Sequence, residues 1–247
     1  HQNWDLAWKD PTPKKEYDVV IIGGGGHGLA TAYYLAKEHN ITNVAIIEKG
    51  WIGGGNVGRN TTIIRSNYMH DDNALFSEFG MDLWRKMSQD LNYNVMFSPR
   101  GIINLAHSDA QMNVYARRGN SMRLNGIDAV LLNREQVKEI IPMADFSDNV
   151  RFPIFGGLMQ PSAGTARHDA VAWGYARQAD SMGVDIIQNC EVTGFDINGG
   201  KTNGVRTSRG DIKVKKIGLC VAGSTNALVE KLNMTLPVET HLLQACV

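Results

Sequence analysis

Apolar and polar positions near the start of the chain follow two different periods. Residues 17–22 and 43–47 are short, β-branched apolar runs, which predict buried parallel strands. Residues 29–37 between them place two alanines and Leu35 on one face, as a helix does. A strand, a helix and a strand within about thirty residues indicate a βαβ unit with a right-handed crossover.

The rest of the chain alternates between helical and strand patterns. Residues 72–90 predict a helix whose apolar face is made by Phe76, Phe79, Leu83 and Met87. Further helices are expected over residues 111–124, 134–140 and 166–182, the last with Thr165 as its N-cap and an apolar stripe of Val171, Ala172, Tyr175, Ala179 and Met182. Strands are expected over residues 101–106, 152–159, 184–188, 191–195, 204–206 and 216–222, with a turn at Asn198-Gly199-Gly200. Residues 50–58 predict no regular structure, and residues 236–247 predict the start of another strand.

Composition and charge narrow the class of protein. The 247 residues suit one large domain or two modest ones. Lys and Arg number 25, as do Asp and Glu, so no net charge favours nucleic acid or an anionic membrane. Residues 1–15 lack an apolar signal segment, and the uncharged residues 19–36 contain five glycines, which argues against a membrane span. The three cysteines form no C-x-x-C, which argues against a disulfide framework and favours a reducing, cytoplasmic compartment.

A glycine-rich motif follows the first predicted strand. Gly23-Gly24-Gly25-Gly26-His27-Gly28 fits G-x-G-x-x-G between a strand and a helix. In that pattern Gly23 permits a tight turn, Gly25 lets the backbone approach a pyrophosphate, and Gly28 lets helix and strand pack closely. Glu48 follows 20 residues after Gly28, where a carboxylate accepts hydrogen bonds from ribose hydroxyls and disfavours the 2′-phosphate of NADP. The motif predicts a dinucleotide site, with a glycine turn that binds nothing as the alternative.

Two further glycine positions favour FAD over NAD. Glycines within residues 50–55 follow Glu48 closely, as in FAD proteins of the glutathione-reductase type. Residues 220–223 resemble the later strand whose glycine also approaches FAD in such proteins. The expected fold class is therefore α/β, with a Rossmann-like FAD-binding domain of the glutathione-reductase type and an inserted α+β substrate domain.

Four segments, residues 17–36, 48–68, 166–173 and 183–194, carry a more specific resemblance. They resemble the beta subunits of heterotetrameric sarcosine oxidases, within the FAD-dependent amine oxidoreductases that include glycine oxidase and dimethylglycine dehydrogenase. The segments are scattered over nearly the whole chain, so the resemblance extends beyond a shared nucleotide fold.

The resemblance implies a reaction and a set of partners. FAD is held non-covalently, and FMN is bound covalently through a histidine that corresponds to His168. Sarcosine is oxidised to glycine, electrons pass through FMN to O2 to give H2O2, and the one-carbon unit goes to tetrahydrofolate. An alpha subunit that binds NAD and tetrahydrofolate and small gamma and delta subunits complete the assembly. An ordinary histidine at a helix start is the alternative for His168.

The resemblance also implies the residues of the site. The expected FAD contacts are Gly23, Gly25, Gly26, His27, Gly28, Glu48, Lys49, Asn56, Arg59, Thr61, Ile63 and Val192. For Asn56, Arg59 and Thr61, loop solvation and turn chemistry are the alternative. His70-Asp71-Asp72 is expected to start a helix rather than to bind a metal.

Arg65 is the candidate catalytic residue on the substrate side. Monomeric relatives have two arginines that flank two apolar residues here, and in this chain Thr62 replaces the first. Arg65 is expected to pair with a substrate carboxylate or to stabilise negative charge on the reduced flavin. A structural ion pair is the alternative.

The expected domain bounds follow from these assignments. Residues 1–67 and 163–235 form the two halves of the FAD-binding domain, residues 68–162 the inserted substrate or interface domain, and residues 236–247 the start of a substrate-domain strand. Relatives continue further, so the chain is expected to be truncated at its C-terminus.

Two other function classes remain open at this point. One is a stand-alone FAD enzyme that oxidises another secondary amine or amino acid and carries one flavin. The other is a non-catalytic nucleotide-binding or assembly subunit.

Overall fold

The computed structural model describes residues 6–242 and 244, which divide into two units. The first unit comprises the described residues within His1–Thr61 and His168–Val247, together with Leu91–Tyr93. The second unit comprises Thr62–Asp90 and Asn94–Arg167. The main boundaries between the units lie after residues 61 and 167, whereas the sequence predicted domain boundaries after residues 67 and 162.

The described residues contain eleven strands and six α-helices. In chain order they are β1 (Glu16–Ile22), α1 (Gly26–His39), β2 (Val44–Ile47), β3 (Ile63–Ile64), α2 (Asp71–Asp90), β4 (Ile102–Ala106), α3 (Asp109–Leu124), β5 (Val130–Asn133), α4 (Arg134–Ile140), β6 (Gly156–Gln160), β7 (Gly164–Thr165), α5 (His168–Ser181), β8 (Asp185–Ile187), β9 (Val192–Asn198), β10 (Lys201–Thr207), β11 (Gly210–Leu219) and α6 (Thr225–Val229). Short 3-10 turns lie at Asn56–Arg59, Ala222–Ser224 and Glu230–Leu232.

A six-stranded sheet in the order β8-β2-β1-β11-β10-β9 organises the first unit. Strands β8, β2, β1 and β11 pair in parallel, and β10 pairs antiparallel with both β11 and β9. Val20 and Ile22 of β1 face one apolar cluster, while Ile21 between them lies next to α1. Because β1 is buried on both faces, its sequence is a continuous apolar run, as predicted.

Helices α1 and α5 pack on each other in the same unit. Tyr33 of α1 and Tyr175 of α5 meet edge to face, with ring centroids 5.4 Å apart. Strands β9 and β10 are joined at Gly199 and Gly200, whose φ angles are +59° and +75°, so the predicted Asn198-Gly199-Gly200 turn is confirmed.

The second unit contains a three-stranded antiparallel sheet, β4-β6-β5, and a separate antiparallel ribbon, β3-β7. One apolar cluster joins α2, α3 and β6 through Ala74, Met122 and Leu158. A second cluster joins β5 and α4 through Leu132 and Val137. No helix in residues 6–242 is both long enough and apolar enough to cross a bilayer.

The predicted apolar face of α2 is confirmed only in part. Met87 is buried and Leu83 is half-buried, as predicted, but Phe76 and Phe79 are 79% and 64% exposed. The other buried residues, Ala74 and Met81, lie outside the predicted face. The helix carries apolar residues on more than one side, so the spacing alone did not show which side meets the core.

The predicted cap of α5 is also wrong. Thr165 lies in β7, where it pairs with Ile63, and α5 begins three residues later at His168. The backbone of Thr165 therefore belongs to a strand pair and does not cap α5.

Several strand bounds differ from the expected ones. The strand predicted from residue 152 begins at Gly156, after Pro153, which has no N–H to donate. β11 begins at Gly210 and ends at Leu219, earlier than residues 216–222. β5 was not predicted, and the segment 50–58 includes part of a 3-10 turn.

The strand predicted over residues 236–247 is not present in residues 236–242 and 244. Residues 243 and 245–247 of that prediction lie outside the described residues.

Candidate functional site

Two glycines of the motif lie where the backbone leaves no room for a side chain. Gly23 follows β1 with φ +109°, and a Cβ on it would lie 2.3 Å from the carbonyl oxygen of Cys220. A Cβ on Gly28 would lie 1.9 Å from the carbonyl oxygen of Gly23. Both distances are far below van der Waals contact. The end of β1, the end of β11 and the start of α1 can therefore lie this close together only because residues 23 and 28 are glycines. This is the tight turn and the close helix–strand packing that the motif predicts.

Gly25 and Gly26 have a different environment. A Cβ on either would meet only the Val57 Cγ2 methyl, at 3.8 Å and 3.5 Å. Gly25 is the N-cap of α1 and has an extended backbone, and no side chain caps the helix. The N–H groups of the first turn of α1 therefore point out of the helix beside an open stretch of backbone, which is the environment that favours an anion.

Glu48 joins the two glycine-rich segments. It follows β2, and its two carboxylate oxygens accept hydrogen bonds from the backbone N–H of Gly24 at 2.7 Å and of Gly50 at 2.8 Å. These two bonds fix the carboxylate beside the turn that precedes α1. A carboxylate has about four lone-pair sites, so Glu48 can accept further bonds from a ligand hydroxyl.

The segment after Glu48 packs against the first glycine turn. The N–H of Gly53 donates to the carbonyl of Gly24 at 3.0 Å, and the N–H of Gly58 donates to that of Gly53 at 2.9 Å. This arrangement brings the 3-10 turn Asn56–Arg59 beside Gly25 through Val57. Lys49, Asn56, Arg59 and Thr61 are exposed, as is His27 on the first glycine turn.

Cys220 directly follows β11 and lies against Gly23. Burial raises the pKa of its thiol, and a hydrogen bond with Thr31 opposes that shift. The thiol is therefore protonated near neutral pH and contributes shape rather than charge to this part of the first unit.

His168 and Val192 are the two candidate residues from the second half of the first unit. His168 is the first residue of α5, and its Nδ1 is buried without a hydrogen-bond partner among the described residues. Val192 begins β9, where it pairs with Thr207 of β10, and it is 6% exposed in the apolar core.

Arg65 and Ile63 lie in the second unit. Ile63 is 47% exposed on β3. Arg65 donates through Nη1 to Asn67 Oδ1, and its guanidinium lies 4.7 Å from the ring centroid of Tyr68. Within the described part of the chain no carboxylate forms an ion pair with Arg65, so the structure does not contain the structural ion pair considered above.

Sequence reasoning missed the polar groups that surround Arg65. Ser66, Asn67 and Gln160 are fully buried polar residues, and Arg118 of α3 contacts Asn67 from 51 positions along the chain. No spacing or motif signals such a contact, because Arg118 stands in a polar helix next to Arg117.

Residues 18–246 match the family described as FAD dependent oxidoreductase. The chain is 60% identical to sarcosine oxidase subunit beta of Rhizobium meliloti, over all of this chain and 59% of that protein. It is 53% identical to sarcosine oxidase subunit beta of an Arthrobacter species, over 98% of this chain and 60% of that protein. Among solved structures, L-proline dehydrogenase from P. horikoshii superposes with a TM-score of 0.81 at 26% identity, over 89% of this chain and 56% of that one. The chain thus spans about three fifths of the length of these relatives.

Proposed function

Because the chain belongs to the FAD-dependent oxidoreductase family, we propose that it oxidises sarcosine as the flavin-carrying beta subunit of a multi-subunit oxidase. The observation that carries this proposal is the identity of 51–60% to three proteins named sarcosine oxidase subunit beta, over nearly the whole of this chain. The overall reaction converts sarcosine and O2 into glycine and H2O2, and passes a one-carbon unit to tetrahydrofolate.

The first unit contains the groups that would hold FAD. We place the pyrophosphate at Gly25 and the first turn of α1, because the backbone there is open and its N–H groups favour an anion. Glu48 would accept hydrogen bonds from the ribose hydroxyls, in a position already fixed by Gly24 and Gly50. The arrangement supports a Rossmann-like domain of the glutathione-reductase type, with the second unit as its inserted substrate domain. When bound, FAD supplies the acceptor for the electron pair of the amine C–H bond.

Arg65 would bind the substrate through its carboxylate. Sarcosine is an N-methyl amino acid, and a guanidinium binds a carboxylate through paired N–H donors. Arg65 is partly exposed and has no carboxylate partner within the described residues, so its charge is available to an anionic substrate.

His168 would hold the covalent FMN. A neutral imidazole at the start of α5 has a nitrogen lone pair to share with the 8α carbon of the flavin. The buried Nδ1 without a partner in the described chain fits a ring whose surroundings are completed by a bound group.

Mass spectrometry of the tryptic peptide that contains His168 tests this link. The peptide from the flavin-loaded enzyme is expected to carry the mass of FMN. An unmodified peptide from an enzyme that contains both flavins would contradict the assignment.

The partners in this proposal are an alpha subunit that binds NAD and tetrahydrofolate, and small gamma and delta subunits. The relatives' name, subunit beta, supports an assembly of several chains.

Two measurements on the purified enzyme test the function. Addition of sarcosine without oxygen is expected to bleach the flavin spectrum, and acid precipitation is expected to leave FMN in the pellet and FAD in the supernatant. Bleaching with FAD alone would point to a stand-alone amine oxidase. A spectrum that does not bleach would contradict the oxidase function.

A further inference from the structure

Asn67 is an asparagine buried in the second unit among polar side chains. Its exposed fraction is zero, and its Nδ2 donates to Asn104 Oδ1 of β4 at 2.6 Å. Its Oδ1 accepts from Arg65 and, at 3.2 Å, from Nη2 of Arg118. The side-chain amide of Asn67 is therefore held at both its nitrogen and its oxygen, and the oxygen is shared between two guanidinium groups.

Arg118 holds the backbone of the same residue. Its Nε donates to the carbonyl oxygen of Asn67 at 2.6 Å, and its Nη2 donates to that oxygen as well. A guanidinium that grips one carbonyl with two N–H groups has little freedom to rotate, since its donors form a rigid planar fork. Arg118 thus fixes the segment that carries Arg65 two positions earlier.

The two guanidinium groups form a concentration of positive charge. Burial, and then the positive charge of Arg65, lowers the pKa of Arg118, although a guanidinium stays protonated in proteins. In the described part of the chain neither arginine forms an ion pair with a carboxylate; their partners are Asn67 and, for Arg65, the ring of Tyr68. Both side chains are partly exposed, so a small anion in solution can reach them.

We propose that Arg118 is a positioning residue for substrate binding: through Asn67 it orients Arg65 and raises the positive potential that receives the substrate carboxylate. This inference rests on the proposed role of Arg65. It adds a residue from α3 that no motif indicates, and it assigns Asn67 the function of a neutral spacer between two like charges.

A neutral residue at position 67 is essential to this arrangement. A carboxylate there would pair with both arginines and would satisfy them inside the protein. An asparagine offers hydrogen bonds without neutralising either charge. The polar amide thus keeps the pair available to an external anion.

The first test compares two neighbouring arginines of α3. Arg118→Gln is expected to raise the Kd of acetate, measured by the flavin difference spectrum of the holoenzyme, by about tenfold, because Arg65 loses its fixed orientation and the neighbouring positive charge. It should also raise KM for sarcosine and leave kcat nearly unchanged, because the carboxylate contact is the same in the ground and transition states. The matched control is Arg117→Gln, which removes an exposed charge from the same helix and is expected to change neither value.

The second test introduces the missing carboxylate. Asn67→Asp conserves the size of the side chain but replaces the N–H that donates to Asn104, so the Asn104 amide has to turn and donate to the new carboxylate. The melting temperature of the variant, measured beside that of the wild type, shows that it is folded. Its acetate Kd should rise by at least about tenfold, because the new carboxylate occupies both guanidinium groups. This variant also decides the question if Arg118→Gln does not fold.

The outcomes separate this inference from the proposed function. Wild-type acetate affinity in either Arg118→Gln or Asn67→Asp would overturn the role of Arg118, even if sarcosine still bleaches the flavin. A second outcome is that both variants lose acetate affinity while sarcosine fails to reduce the flavin of the wild-type enzyme. That outcome would support the carboxylate site and overturn sarcosine as the substrate.

Discussion

The glycines of the first turn divide into those that the protein encloses and those that it leaves open. At Gly23 and Gly28 neighbouring backbone oxygens occupy the space of a side chain, whereas at Gly25 only the Val57 methyl is near. The first pair serves the fold and Gly25 is available to a ligand. Glu48 lies between these two roles, because its carboxylate already binds two backbone N–H groups and retains capacity for more.

Glu48→Gln is expected to weaken both the fold and FAD binding. A glutamine keeps one acceptor oxygen, so one of the N–H groups of Gly24 and Gly50 loses its partner, at about 1–3 kcal/mol of unfolding free energy. Urea unfolding of the apoprotein and titration with FAD measure the two effects.

The matched control for this variant is Glu38→Gln. Glu38 is exposed near the end of α1 and lies 3.8 Å from Lys37, a surface pair that contributes at most about 1 kcal/mol. Equal stability and equal FAD affinity in the two variants would show that Glu48 has no special role.

At the scale of elements, the local sequence predicted the helix and the turn that local interactions stabilise. The bounds of α4 were predicted, since a helix was expected over residues 134–140 and Arg134–Ile140 is the helix; its Asn133 cap was not predicted. The glycine pair between β9 and β10 has the positive φ angles that its turn requires. The buried side of α2 and the contact between Arg118 and Asn67 depend on residues distant in sequence, so no local period could indicate them.

Asn133→Ala is expected to destabilise the second unit through α4. Asn133 Oδ1 accepts from the N–H of Gln136 at 2.9 Å, and Gln136 Oε1 accepts from the N–H of Asn133 at 2.9 Å. Loss of this capping box should lower the unfolding free energy by about 1 kcal/mol. The same substitution at Asn113, an exposed position inside α3, should cause no loss, since alanine favours a helix. Identical urea midpoints for the two variants would refute the role of the cap.

At the scale of the whole molecule, the two units divide the candidate residues between them. All the FAD contacts implied by the resemblance lie in the first unit except Ile63, and Arg65 lies in the second with Arg118. The glycine motif, its strands and Glu48 made the first unit predictable from sequence. The second unit was less so, because its polar cluster of Ser66, Asn67 and Gln160 is assembled from separate segments.

FAD binding by the whole chain can be followed as a gain in stability. A ligand that binds only the folded state at 100 times its Kd raises the unfolding free energy by about 2.7 kcal/mol. The gain should depend on Gly25, whose extended backbone accepts an alanine and whose Cβ would meet Val57 at 3.8 Å. Gly80→Ala is the control, because a Cβ there meets nothing within 4 Å.

The most direct measurement is therefore the thermal unfolding of wild type, Gly25→Ala and Gly80→Ala, each with and without FAD. We predict that all three apoproteins unfold as stable folds, that FAD stabilises wild type and Gly80→Ala, and that it does not stabilise Gly25→Ala. Equal stabilisation of Gly25→Ala, or no stabilisation of the wild type, would contradict a pyrophosphate site at this turn.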